Sequence, residues 1–341
     1  MAQINLFIQS LLFILLFVTT SLCNIKQIIN VSTTTSFFSD NNIYEDINSK
    51  KIDDNFIQLW LQANSTFKKN QQFLNFSIIG NTQQYFNFSD ENKYFGRINF
   101  DYLKYLSRTN ILSIGGFYSR KSWYQVEKFY DTSILNLAYT RKSGKYNITM
   151  NTFIGYSQYS YFSEFDNINY GIRPKLCYRM SKKLSFSLFF ESRFNDFQNS
   201  FISKKRFDKS NTVNFGFEYK NGMILGSNFE FVNTKSNYDF LINNSVSILP
   251  YLSAEFHDIY YQIIVKWNLK KYKNKINTDQ VNLVFPDPEA NTNNQIYFGF
   301  DREFTNKISI TGKIIFFASE YKYQADFYEK FLVGIGLKYS F

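Results

Sequence analysis

Charged side chains recur at alternate positions in several stretches whose intervening residues are apolar. Arg97 and Asp101 share one such phase. So do Arg173, Lys175 and Arg179, then Glu191 with Arg193, and singly Glu218, Glu230, Glu255, Lys266, Asp301, Lys313 and Lys338. If these stretches are strands, a period of two puts every one of these groups on the same face as its neighbours. The chemistry available to such a set is electrostatic. Opposite charges can pair and stiffen a wall, or an uneven set can form a constriction that selects solutes by sign. Pairing suits most of the set. Three like charges in a row, Arg173, Lys175 and Arg179, suit selection and point to a preference for anions.

Other chemistry is poorly supplied. The chain has one histidine, His257, and two cysteines, Cys23 and Cys177. A metal site or a nucleophile–base pair needs more partners than these provide, and no glycine-rich phosphate loop is present. No catalytic, cofactor-binding or metal-binding residue is therefore assigned, and no cofactor is expected. The formal charge of +10 raises the question of nucleic acid. The basic runs Lys204-Lys205-Arg206 and Lys270-Lys271 fall in expected loops or strand ends, without an accompanying motif, so no nucleic-acid partner is expected.

The elements that carry the charges have a clear period. Phe331, Val333, Ile335, Leu337, Tyr339 and Phe341 alternate with Leu332, Gly334, Gly336, Lys338 and Ser340. Leu184, Phe186, Leu188 and Phe190 alternate with Ser185, Ser187 and Glu191, and Ile259 to Leu269 repeats the pattern. The apolar phases hold no Lys, Arg, Asp or Glu, as a face turned to lipid requires, since a basic residue at mid-membrane costs about 2–4 kcal/mol. A chain that is 20% aromatic yet has a mean hydropathy of −0.31 fits a wall that is apolar outside and wet inside. The pattern predicts an all-β, transmembrane, antiparallel up-and-down barrel of about fourteen strands over residues 72–341. Connections alternate in length, with short ones such as Lys142-Ser143-Gly144 and His257-Asp258 and long ones near 194–210 and 270–293. Pro174 and Pro250 fall inside expected strands, where a missing N–H predicts a bulge or a shifted boundary.

The N-terminus reads as an export signal. Leu6 to Val18 is almost wholly apolar and too short to span a bilayer, which suits the core of a signal peptide over residues 1–23, cleaved after Cys23. A lipidated Cys23 is the other possibility. Residues 24–71 read as a polar periplasmic linker or plug segment, within which Phe56 to Ala63 could add a strand, cover the mouth or enter the lumen. Val333, Ile335, Leu337, Tyr339 and Phe341 resemble the C-terminal assembly signal of bacterial outer-membrane barrels.

The run from Asn169-Tyr170-Gly171-Ile172 through Lys183-Leu184-Ser185-Phe186 to Arg193-Phe194-Asn195-Asp196, with Tyr321 to Phe341, also resembles the barrel of surface lipoprotein assembly modifiers. That resemblance covers roughly residues 90–341 and implies a fourteen-stranded translocon for surface-exposed lipoproteins. The sequence as a whole predicts an integral barrel of the bacterial outer membrane, in contact with its lipid and with the barrel-assembly machinery. Its expected activity is a pore or channel for small solutes. The alternatives are a translocon acting on an exported lipoprotein, and a closed barrel serving as surface anchor or adhesin through a loop such as 270–293. No enzymatic activity is expected.

Overall fold

The computed structural model describes residues 26–41, 52–124, 129–160, 163–200, 204–273, 294–320 and 327–341. Sixteen strands run in chain order around one closed antiparallel ring. They are β1 (Lys26–Asp40), β2 (Asp54–Lys69), β3 (Gln72–Tyr85), β4 (Lys93–Tyr105), β5 (Asn110–Trp123), β6 (Phe129–Ser143), β7 (Tyr146–Tyr159) and β8 (Asn167–Arg179). The second half holds β9 (Leu184–Ser200), β10 (Lys205–Lys220), β11 (Met223–Ser236), β12 (Asn243–Phe256), β13 (Ile259–Tyr272), β14 (Asn294–Glu303), β15 (Ile308–Glu320) and β16 (Phe327–Ser340). Closure satisfies every strand edge, the condition for a sheet to cross lipid.

The expectation of about fourteen strands is corrected to sixteen. Both additional strands lie in the stretch 24–71, which had read as linker or plug, so Phe56 to Ala63 belongs to a barrel strand. On β1 the outward positions are Ile29, Val31, Thr33, Thr35 and Phe37. Threonine is β-branched and suits a strand, but its hydroxyl hides the alternation. The count stays even, so both ends of the barrel fall on the side of the short turns. In bacterial barrels that side faces the periplasm. Residues 1–23, with the expected signal peptide and Cys23, lie outside the described residues, as does most of the 270–293 loop.

Outward positions on successive strands, among them Leu137, Met150, Ile154, Ile172, Leu188, Val213, Phe229 and Trp267, are exposed and apolar. Only a bilayer makes such a surface favourable. Most strands also run past the apolar band at the long-loop end. β9 and β10, expected over 183–193 and 211–219, remain paired as far as Ser200 opposite Lys205.

The two prolines do not break register. Ile172 pairs with Ser192 and Lys175 with Phe189 on either side of Pro174. Ile248 pairs with Trp267 and Tyr251 with Ile264 on either side of Pro250. In an antiparallel ladder a residue directs its N–H and C=O to one neighbour only. Each proline therefore costs bonds on one side and keeps its pairing on the other, Pro174 with Met150 and Pro250 with Ser227.

Chain ends meet where β1 pairs with β16, from Ser32 opposite Ser340 to Asp40 opposite Leu332. Gly334 makes the join tight. A Cβ there would stand 2.2 Å from the Phe38 ring, which lies flat on the inner wall. The turn between β12 and β13 carries strain instead. His257 and Asp258 adopt φ of 50° and 60°, the left-handed pair that a two-residue hairpin demands and that Asn-Gly adopts at less cost. Replacing them by Asn-Gly should raise the stability of the refolded barrel by about 1 kcal/mol, read as a higher urea midpoint. An unchanged or lower midpoint would mean the turn stores no strain.

Candidate functional site in the barrel lumen

The inward phase of the sixteen strands builds the lumen wall, and all fourteen charged residues singled out above lie on it. The wall is coated with aromatic rings, and several cations lie over them. Arg97 sits 3.9 Å above the Phe117 ring and donates from Nε to Asn99 Oδ1 at 2.6 Å. Arg206 lies 4.3 Å from the Phe197 ring and donates from Nε to Asp208 Oδ2 at 2.8 Å. A guanidinium held over a ring by its quadrupole lies along the wall and leaves the axis to water. Lys313 is the looser case, 6.0 Å from Phe38.

Arg173 belongs to a three-membered group. Its Nε donates to Glu191 Oε2 at 2.5 Å, and Arg193 Nε stands 3.0 Å from Glu191 Oε1. Glu191 is buried, and both guanidinium groups also face the Phe153 ring, at 5.8 Å and 5.1 Å. The stripe of three like charges on β8 is thus split. Arg173 is neutralised across the ladder. Lys175 and Arg179 are exposed to the lumen and make no ion pair among the described residues. Replacing Glu191 by Gln should leave the fold intact at a cost of about 1–2 kcal/mol and strengthen any anion preference. Reversal potentials unchanged by E191Q would mean the group does not face the permeation path.

The acids lie elsewhere around the ring. Glu218 on β10 is 2.8 Å from Lys220 Nζ and accepts the Tyr251 hydroxyl at 3.1 Å. Lys266 on β13 is attracted to Glu230 on β11, across β12. At the short-turn end, Glu255, Asp258, Asp301 and Glu303 line a cavity of about 790 Å³ with Lys313 and Lys338. Asp101 makes no ion pair among the described residues. The β8–β9 wall is therefore basic, and the short-turn mouth beside β12–β15 is acidic.

The long-loop mouth is built differently, from residues whose role the sequence did not reveal. Phe38, Phe56 and Tyr85 form one buried cluster on the inner wall, with Leu332 against it. Phe165, Phe197, Tyr238 and Leu241 form a second, drawn from β9 and the connections before β8 and β12. The two clusters stand on opposite sides of the ring. Short-range side-chain bonds hold the loops down onto them. Asn92 Oδ1 accepts from Tyr85 N at 2.7 Å, and Asp166 Oδ1 accepts from Tyr159 N at 2.7 Å, each closing a loop around a single 3-10 turn. Burial raises the Asp166 carboxyl above the usual carboxylate range, against the lowering effect of that bond. The available sequence signal was a Ser/Asp-rich turn ending in Asn or Asp, at Ser89 to Asn92 and Ser163 to Asp166. Among the described residues, no group of three or more His, Cys, Asp or Glu is placed to hold a metal ion.

No protein-family model and no curated protein matches the chain. Solved structures do match it. The fold is that of outer-membrane β-barrels. CdiB from Acinetobacter baumannii is similar over 91% of this chain and 60% of its own length, with a TM-score of 0.53 at 8% identity. The anion-selective porin from Comamonas acidovorans is similar over 93% of this chain and all of its own length, with a TM-score of 0.51 at 11% identity. Likeness at such identity shows the fold and nothing finer.

Val333, Ile335 and Leu337 of the expected assembly signal point outward and are exposed. Phe341 closes the seam through its N–H to Val31 O at 2.9 Å, with its ring edge-on to Tyr339 at 4.7 Å.

Proposed function

We propose that the protein is a water-filled channel of the bacterial outer membrane that passes small solutes and prefers anions. The observation that carries this reading is the strand count. Eight strands make a barrel filled by its own side chains, whereas sixteen leave an aqueous channel. The wall chemistry agrees, since the larger cations lie along the wall over aromatic rings and do not bridge it. Lys175 and Arg179 supply the exposed positive charge that attracts anions in a narrow, low-dielectric passage. The similarity to an anion-selective porin is consistent with this reading.

A translocon for surface-exposed lipoproteins is the second reading, favoured by the resemblance of residues 90–341 and by the apolar clusters at the mouth. It would give little conductance and a co-purifying lipoprotein. The C-terminal phase from Val333 to Phe341 would be read by the barrel-assembly machinery on either reading. The deciding experiment is single-channel recording of the refolded chain in a planar bilayer. Steady open steps support the channel. Silence from a heat-modifiable, closed barrel refutes it and moves the assignment to the translocon or to a closed barrel serving as surface anchor, which a co-purifying lipoprotein would tell apart.

A further inference from the structure

The outward face of the barrel carries an unusual arrangement at the long-loop end of β10–β13. Lys209 of β10 stands directly opposite Lys235 of β11, and both point away from the lumen. Below them Asn211 is opposite Asn233, whose Nδ2 donates to Asn244 Oδ1 on β12 at 2.7 Å, and Asn244 is opposite Lys271 of β13. Like charges directly opposite on neighbouring strands destabilise a sheet. Neither Lys209 nor Lys235 makes an ion pair among the described residues, and Lys209 Nζ rests 5.2 Å from the Phe194 ring. The adjacent carboxylate, Asp196, is held by Lys205 at 3.2 Å.

Height identifies what meets these lysines. From Tyr219 at the short-turn end, β10 rises to Lys209 by about 25 Å at the tilt usual for such barrels. That is the height of the apolar band, so the two ammonium groups lie at its outer edge, level with lipid headgroups. β5 and β6 show the contrasting solution. There Arg120 and Asp131 also point outward near the same edge, but they neutralise each other, with Nε–Oδ1 at 2.7 Å and Nη2–Oδ2 at 2.5 Å. On β10–β13 no described carboxylate supplies the counter-charge, which leaves the two ammonium groups open to an anion from outside the barrel wall.

We infer that Lys209 and Lys235, with Asn244 and Lys271 beside them, hold the phosphate of an anionic lipid headgroup in the outer leaflet. One phosphate between two ammonium groups converts a cross-strand repulsion into a bridge. The inference rests on the orientation of the barrel in its membrane and is independent of conduction.

Native mass spectrometry of the full chain refolded in detergent tests it, with bisphosphorylated lipid A as the probe and the same lipid stripped of phosphate as control. Wild-type protein should retain the bisphosphorylated lipid at least ten-fold better than the stripped one, and Lys209→Ser with Lys235→Ser should abolish that preference while the barrel stays heat-modifiable. Equal retention of the two lipids by the wild type overturns the proposal, and that comparison needs no variant. Displacement of the lipid by equimolar inorganic phosphate also overturns it, as does a dimer mass that disappears in the variant without any dependence on lipid. A barrel that conducts but does not discriminate between the lipids refutes this site alone. A silent barrel that does discriminate refutes the channel alone.

Discussion

Asp40→Ala is expected to destabilise the closed barrel by about 3–5 kcal/mol, the usual cost of removing one member of a buried ion pair. Asp40 is 0% exposed, and its Oδ2 lies 2.9 Å from Lys330 Nζ and 3.0 Å from the Tyr85 hydroxyl that donates to it. The Lys330 side chain is itself only 9% exposed. The three residues come from β1, β16 and β3, so the group spans the join between the first and last strands. Losing the carboxylate withdraws compensation from an ammonium that water barely reaches. The measurement is the urea midpoint of the heat-modifiable form. Replacing both charges at once, Asp40→Leu with Lys330→Met, should recover most of the loss, because an apolar pair of similar volume leaves no charge to solvate. A D40A barrel as stable as wild type would show that water or the loops above already solvate the pair.

Lys175→Glu with Arg179→Glu should lower the anion-to-cation permeability ratio on the order of ten-fold in dilute salt. Each substitution changes the β8 wall by two charges, and among the described residues neither side chain has a carboxylate partner to leave stranded. Stability should therefore change little, in contrast to the Asp40 substitution. Raising the salt should shrink the effect, as screening requires. A ratio unmoved by the double variant would place these side chains away from the permeation path and would remove the basis for anion preference.

Strands such as β13 and β16 could be placed from sequence because one face touches lipid along most of their length and the other touches water. Alternation is the direct trace of that asymmetry. β1 is not legible in the sequence because Thr33 and Thr35 face outward and Ser36 and Phe38 face inward, so neither face has a consistent hydropathy. β2 was blurred in the same way, by Phe56 and Trp60 on its inner side. The upper parts of β9 and β10 leave the bilayer, so their alternation stops while their hydrogen bonds continue. At the site, spacing along β8 was enough to bring Arg173, Lys175 and Arg179 to one face. It could not show that Arg173 belongs to Glu191, because cross-strand register is a tertiary fact. The aromatic platforms under the arginines were hidden for a related reason. Phe153 and Phe189 are lumen residues, and an aromatic residue at an inward position reads in sequence like one that faces lipid.

The join between β1 and β16 has a consequence for biogenesis. One of its bonds, from Phe331 N to Asn41 Oδ1, links residues 290 positions apart. No partial chain can make that bond, and a growing sheet presents two bare edges until its last strand arrives. The entropy of bringing such distant ends together is lost before their contacts compensate. Folding of this chain is therefore an event of the completed polypeptide. A barrel whose first and last strands must meet gains its full stability only in the final step, when the ring shuts.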